Sequence, residues 1–458
     1  MRILIAGGGE VASQLARRLI REGNEVVLVE QDRERCAQLE ATLDVKVIQG
    51  NAASVRTLRR AGLHEADMLI AVTNVDEINL LACMIARAEA NVPVKVARVR
   101  THEVDYWRQL ATKLDLQIDL IIHPDSEVLA RILPVLSIPG VSEIIDFAGG
   151  RIKLFGMLVE PGHWFAGKSL AELARAGAPS HSLVAMIFRG PEVIIPRGEE
   201  RILPGDHVYI VTRQQDLDEV FAFIGIKRLE RLERVFILGG KQLGIRVAQE
   251  LESLGVQVKL FETDLERCQR ISELVERALV IHADGTDATV LAEENIRGVS
   301  AYLALTDDDE KNLIAALLAR RLGAQKVVAL INRLNYLPMA LRLGINTSVS
   351  PRLATVDRIL RFVRKGQVVS VTTFREEEAE AIELVASPES RYVGKRLMDL
   401  KFPPGCLVGA IARPSGEVII PRGQSRIEAG DQVIFFALER VVPQLESAFL
   451  VEKRSWAR

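Results

Sequence analysis

The chain repeats itself. Laid on itself at an offset of 232 or 233, "ILIAGGGEVASQLARRL" (Ile3–Leu19) meets "VFILGGKQLGIRVAQEL" (Val235–Leu251). "QDRERCAQL" from Gln31 meets "TDLERCQRI" from Thr263, and "TNVDEINLLACMIAR" from Thr73 meets "TDDDEKNLIAALLAR" from Thr306. Further on, at a smaller offset of 227, "PDSEVLARIL" from Pro124 meets "PRLATVDRIL" from Pro351. A second match pairs "VIIPRG" at Val193 with the same letters at Val418, followed by Gly205-Asp206 and Gly430-Asp431. The order is therefore A–B–A′–B′, with A about 135 residues and B about 85. The predicted segments are 1–137, 138–226, 232–364 and 365–458, with short charged linkers near Ile226–Glu233 and Arg364–Gln367.

At 458 residues the chain exceeds what one core usually organises, which agrees with several modules. Hydrophobic and charged contents of 48% and 26% are those of a soluble globular protein. A net charge of −2 gives no global field for nucleic acid or a membrane surface. No apolar run reaches the roughly 18 residues of a membrane span. "MRILIAGGGE" ends in glycines and reads as a strand rather than a signal peptide, so a cytoplasmic location is expected. Cys36, Cys83, Cys268 and Cys406 form no C-x-x-C pair and have no histidine at ligand spacing. Free thiols and no metal site are the expectation.

Module A alternates apolar runs with helix-period segments. Strands are predicted at Ile3–Ala6, Val26–Glu30, Val45–Gln49, Met68–Ala71, Val94–Ala97 and Leu120–Ile122, with helices over Gln14–Ile20, Glu34–Leu43 and Ile78–Ala90. Continuous apolar strands belong to a parallel sheet covered on both faces, and this alternation predicts a doubly wound Rossmann-like sheet. A helix, "SEVLARIL", leaves it after Pro124. Module B reads as short strands broken by Pro and Gly, with one short helix, "GKSLAEL" in B and "GKRLMDL" in B′. That predicts a small α+β domain.

A strand running into G-x-G-x-x-G and a helix is a phosphate cradle: a tight turn, close backbone approach, and a helix N-terminus with free N–H groups. In the first copy the three positions are Gly7, Gly9 and Ala12. Glu30 ends the second strand, 23 residues after Gly7, and suits the two ribose hydroxyls of NAD. Asn51 follows the third strand and faces the adenine in this reading. Thr73 and Asn74 end the fourth strand, and Arg98 ends the fifth. In the second copy Gly239, Gly240 and Gly244 remain, but Lys241 replaces Gly9 and Leu330 replaces Arg98. Glu262, Asp284 and Thr306-Asp307 stand where Glu30, Asn51 and Thr73-Asn74 were. A lysine there either fills the phosphate space or binds phosphate as a point charge.

With "AGGGEVA", "LVEQD", "VTNVDEINLL" and "ARV" in this A–B–A′–B′ order, the chain resembles the regulatory family of Trk potassium-uptake systems. That family is built from tandem RCK units, each an N-terminal nucleotide-binding domain and a C-terminal α+β domain. The resemblance implies NAD contacts at Gly7, Gly8, Gly9, Glu10, Val11, Glu30, Thr73, Asn74 and Arg98. In the second half it implies Gly239, Gly240, Lys241, Gln242, Leu243, Glu262, Thr306 and Asp307. It further implies NAD+ or NADH as ligand, with ATP and ADP as alternatives. The partner would be a membrane potassium-transporting subunit. The chain would be a homotetramer, cytoplasmic and peripheral on the inner face of the membrane, with no membrane insertion and no nucleic-acid partner. Pairing through the final helices of the A modules is expected.

An NAD-dependent dehydrogenase is the rival reading. It needs a proton donor or acceptor near the nicotinamide. Module B offers His163, His181 and His207, but B′ has Ser390 and Gln432 in place of His163 and His207. A methyltransferase also uses a glycine turn with an acidic strand end, although Arg98 suits phosphates better. The third alternative is a scaffold that binds nothing. In "IIPRG", Arg197 and Arg422 invite a ligand role that a Pro-Gly turn makes unnecessary.

Overall fold

The first module builds a parallel sheet from β1 (Arg2–Ala6), β2 (Glu25–Glu30), β3 (Lys46–Gln49), β4 (Met68–Ala71), β5 (Val94–Arg98) and β6 (Leu120–Ile122). The strand order is β3-β2-β1-β4-β5-β6. In the computed structural model the described residues are 1–101, 104–113, 115–226, 231–345, 347–363, 368–374 and 378–449. Alternate side chains leave the sheet in opposite directions. Leu4, Ala6, Val27 and Val29 join Leu80, Cys83 and Ala86 on one face. Ile3, Ile5, Val26 and Leu28 join Leu15 and Leu19 on the other. Both faces are covered, which is why the strands read as unbroken apolar runs.

An antiparallel sheet follows: β7 (Val141–Phe147), β8 (Ile152–Leu158), β9 (Ser182–Arg189), β10 (Glu192–Ile194) and β11 (His207–Arg213), in the order β7-β8-β11-β9-β10. The second half repeats both sheets. The parallel one is β12 (Arg234–Leu238), β13 (Gln257–Glu262), β14 (Leu279–His282), β15 (Ala301–Ala304), β16 (Val327–Leu330) and β17 (Thr347–Val349), ordered β14-β13-β12-β15-β16-β17. The antiparallel one is β18 (Val368–Phe374), β19 (Ala379–Val385), β20 (Cys406–Ala412), β21 (Val418–Ile419) and β22 (Gln432–Leu438), ordered β18-β19-β22-β20-β21. The two antiparallel orders are the same order, so the duplication extends to strand pairing.

The repeated "VIIPRG" letters encode a turn, and each Gly-Asp supplies a buried aspartate that pairs with an arginine of a neighbouring strand or turn. Arg189 donates from Nε and Nη2 to Asp206, both at 2.9 Å. Arg413 Nη1 donates to Asp431 at 2.8 Å. Arg197 and Arg422 are exposed at the turns themselves. The antiparallel sheets share one core, in which Phe147 meets Phe436 edge to face and Tyr209 lies 4.8 Å from Phe374 between ring centroids.

One expected helix is not a helix. In B, helix Leu170–Arg175 starts with a capping box between Ser169 and Glu172. In B′, "GKRLMDL" forms only a 3₁₀ turn, Leu397–Asp399. Arg396 stands at its N-cap without a side-chain cap, and Pro403-Pro404 follow shortly. The sequence also left unassigned β7, β18 and the helices Leu217–Ile224 and Val442–Phe449. Arg364–Gln367 and residues 227–230 of the Ile226–Glu233 linker lie outside the described residues.

The chain divides into two compact units. One is Met1–Leu129 with Ser350–Val363, and the other is the remainder of the described chain. Helix Pro351–Val363, in sequence the end of segment 232–364, thus belongs with the first sheet.

In the second unit Lys326 is buried and its ammonium donates to the carbonyls of Ile138, at 3.1 Å, and Val141. Burial pushes its pKa from 10.5 down to about 7. Between those values the unfolded chain holds a proton that the folded chain has released. Stability should therefore rise with pH across that window, by about 1 kcal/mol per pH unit. The midpoint of the thermal transition that belongs to the second unit, followed between pH 7 and pH 9, checks this. The rise in the wild type should exceed that in Lys326→Met, and equal slopes would contradict it.

Candidate nucleotide-binding sites

In a parallel sheet every strand delivers its carboxyl end to one edge, and the candidate residues of the first half gather there. Gly7 turns the chain at φ +117°, and a Cβ on it would stand 3.1 Å from Thr73 N. Gly8 N–H donates to Glu30 Oε2 at 2.6 Å, while Glu30 Oε1 accepts from Gln31 N–H and Asp32 N–H at 2.7 and 2.8 Å. The acidic strand end is therefore held by backbone donors on both sides of the crevice. Cys36 lies beneath it, Sγ 3.5 Å from the Glu30 carbonyl.

Helix Glu10–Arg21 begins after Gly9 with no side-chain cap. Its neighbours Arg33–Thr42 and Val55–Arg60 are capped by Asp32 and Ser54. A Cβ on Gly9 would meet nothing within 4 Å. Free helix N–H groups thus face open space, as an incoming phosphate requires. Val11 buries its side chain in the core, so only its backbone is on offer.

Arg98 closes the far side. Its Nη2 donates to Thr73 O at 2.9 Å and to Asn74 Oδ1 at 3.0 Å. Burial, with Arg100 nearby, pushes its pKa down to about 10. Its Nε is buried with no hydrogen-bond partner among the described residues. The open Gly9, the uncapped helix, Glu30 and the Arg98 guanidinium thus gather at one edge of the sheet. Asn51 does less than expected: it is exposed, and its Oδ1 accepts Ala53 N–H at 2.7 Å in a local turn.

The sequence reading missed Asn79. It is fully buried on helix Asp76–Ala90. Its Oδ1 accepts from Thr73 N–H and Oγ1, and its Nδ2 donates to Thr73 O and Arg98 O. It ties the end of β4 to the end of β5. Asn312 repeats the arrangement with Thr306 and Leu330 O. The available signal was the asparagine shared by "NVDEIN" and "DDDEKN".

The second edge has the same frame and a different charge pattern. Gly239 turns at φ +112°, and Gly240 N–H reaches Glu262 Oε2 at 3.1 Å. A Cβ on Gly244 would stand 2.0 Å from Gly239 O, so this glycine sets how closely the helix packs on the turn. Each acid here has a cation. Arg267 Nη1 is 3.1 Å from Glu262, Lys311 is 3.4 Å from Asp284, and Lys241 pairs with Asp307. Burial alone would raise the Glu262 carboxyl. The hydrogen bonds from Asp264 N–H, Arg267 and Gly240 N–H outweigh it and hold the pKa below the ordinary value. Leu330 is buried and apolar where Arg98 stands in the first half. Helix Gln242–Ser253 again has no side-chain cap, and Leu243 is buried.

The histidines of the rival enzyme reading lie in the β7–β11 domain. His207 Nε2 is 2.8 Å from Ser142 Oγ, and His163 packs on Phe165 with its pKa lowered by burial. Among the described residues no group of His, Cys, Asp and Glu could hold a metal ion.

Two glycine-turn sheets of Rossmann order, each followed by an antiparallel domain, define a tandem nucleotide-binding protein. The family model described as the TrkA-N domain matches residues 3–124 and 235–351, and the TrkA-C domain matches 154–225 and 381–450. The chain belongs to the family of the Trk system potassium uptake protein TrkA. It is 37% identical over 456 residues to that protein from Halomonas elongata, covering 98% of this chain and 99% of the relative. It is 34% identical to that of Vibrio alginolyticus, covering 98% of each. Among solved structures it resembles the GsuK RCK domain with a TM-score of 0.59 at 19% identity, covering 98% of this chain and 94% of that one. The GsuK channel bound to NAD gives the same score and identity, with 98% and 78% covered. These two likenesses show the fold.

Proposed function

We propose that this chain is a nucleotide-sensing regulatory subunit of a Trk-type potassium-uptake system, and not an enzyme. The observation that carries this is the first cradle within a TrkA-family chain: uncapped helix N–H groups, the Glu30 carboxylate and the Arg98 guanidinium converge, with no paired acid and base beside them among the described residues. Family membership supports a membrane potassium-transporting partner. No helix of the described residues is long and apolar enough to cross a membrane, which fits a subunit acting from the cytoplasmic face. The comparisons lend the dehydrogenase reading no support.

The first site, in this reading, takes NAD+ or NADH through Gly7–Val11, Glu30, Thr73, Asn74 and Arg98. The second, at Gly239–Leu243, Glu262, Asp284, Thr306 and Asp307, already neutralises its acids with Lys241, Arg267 and Lys311. It would favour a ligand that offers more phosphate charge, as ATP or ADP does. The assembly is a homotetramer. Light scattering should then return about four times the 50.7 kDa chain mass.

Replacing Glu30 by Ala should weaken NAD(H) binding at the first site by roughly 1–3 kcal/mol, the scale of charge-assisted hydrogen bonds. Calorimetric titration of the full chain measures it. The full chain is required because helix Pro351–Val363, from the second half, packs in the first unit. Unchanged binding of every adenine nucleotide would move the site away from this edge.

A further inference from the structure

The helix that opens the first cradle rests on a helix from the other half of the chain. Val356, Ile359, Leu360 and Val363 of Pro351–Val363 share one core with Val11, Leu15 and Leu19 of Glu10–Arg21. Arg18 lies 3.3 Å from Asp357, and Arg358 lies 3.5 Å from Glu127. At the cradle end of this contact, Arg352 forms an ion pair with Glu10. Glu10 is the first residue of the cradle helix, next to Gly9. Its side chain and that of Arg352 are 36% and 38% exposed, so the pair is open to an incoming ligand.

A carboxylate in the first turn of a helix suits the helix dipole. It also repels a phosphate delivered to the same N–H groups, and Arg352 offsets that repulsion. We propose that Arg352 is a phosphate-reading residue of the first nucleotide site, leaving Glu10 to engage the phosphates of an adenine nucleotide that carries two or more of them. This rests on the nucleotide reading of the first cradle. The guanidinium fork matches phosphate oxygens better than a point charge does. Burial already holds the Arg352 pKa below its ordinary value, so the group is partly desolvated and gains from a strong anion. Arg352 rides on a helix that the second half of the sequence contributes to the first unit.

The test titrates ADP, ATP, NADH and adenosine into the full-length protein and two variants. Arg352→Gln should lower ADP and ATP affinity about tenfold, the scale of a charged hydrogen bond, and leave adenosine unchanged. Glu10→Gln should act in the opposite direction and raise ATP affinity, because it removes both the repulsion and Arg352's competing partner. A purely structural ion pair lowers the melting temperature in both variants without opposed affinity changes. Affinities that move together, or do not move, overturn the proposal. If Arg352→Gln unfolds the protein, Glu10→Gln and Arg352→Lys still decide it, with Arg352→Lys losing less affinity than the glutamine variant. If Glu30→Ala leaves every nucleotide bound as before, the site reading beneath the proposal fails instead.

Discussion

Replacing Asn79 by Ala should destabilise the first nucleotide-binding sheet by about 3 kcal/mol. Asn79 is fully buried and makes four hydrogen bonds, of 2.8 and 2.7 Å to Oδ1 and 3.0 and 2.8 Å from Nδ2. An orphaned buried polar group costs roughly 1–3 kcal/mol. The groups around Thr73 are only partly buried, so water recovers some of that sum. A protein of several modules does not unfold in one step, which makes a single global midpoint a poor probe. Hydrogen exchange of the β4 and β5 amides reads the effect locally. Their protection should fall by about a hundredfold, the equivalent of the same energy. Asn312→Ala should do the same to β15 and β16 and leave β4 and β5 alone. A change below about threefold would mean that the asparagine network does not hold the strand ends together.

Gly7→Val should abolish measurable nucleotide binding at the first cradle, with a loss of about a hundredfold or more. Gly7 sits at φ +117°, where side chains are strained by about 1–3 kcal/mol and a β-branched one most of all. A Cβ would also meet Thr73 N at 3.1 Å, and Thr73 Cα and Val72 C at 3.2 Å. These are backbone atoms of the strand end that the site uses, and they cannot give way as a flexible side chain would. Gly9→Ala is the matched control. It has φ −71° and nothing within 4 Å of the new methyl, so melting should not change while ligand approach is narrowed. Binding that survived in Gly7→Val would show that this turn is not the cradle.

Much of the fold was readable because duplication constrains a sequence twice over. The strands of the first sheet lie where apolar runs end in Gly, Asn or charged residues, and the repeat placed the second sheet by offset alone. Gly7, Glu30, Thr73, Asn74 and Arg98 were readable for a further reason: each ends a strand of one parallel sheet, and topology brings such ends together. What escaped depends on partners distant in the chain. Asn79 is an ordinary helical asparagine until β4 and β5 supply its carbonyls. Arg352 lies 342 positions from Glu10, and no local pattern joins them. The failed helix at "GKRLMDL" has the apolar spacing of its counterpart but has Arg396 in place of the Ser169 cap and two prolines soon after. Lys241 was legible as a departure, but its partner Asp307 comes from the end of another strand.

The central claim is that nucleotide occupancy here is a signal rather than a reaction. In the proposed tetramer, two sites per chain would let modest differential affinities add. Each site need favour one state by only about 1–3 kcal/mol. The most direct test is potassium flux through the reconstituted Trk-type membrane subunit with this protein bound, recorded while NADH absorbance is followed in the same sample. The account predicts a flux that changes between NAD+, NADH, ATP and ADP, with the absorbance of NADH constant. Flux indifferent to every nucleotide, or steady consumption of NADH, would contradict it.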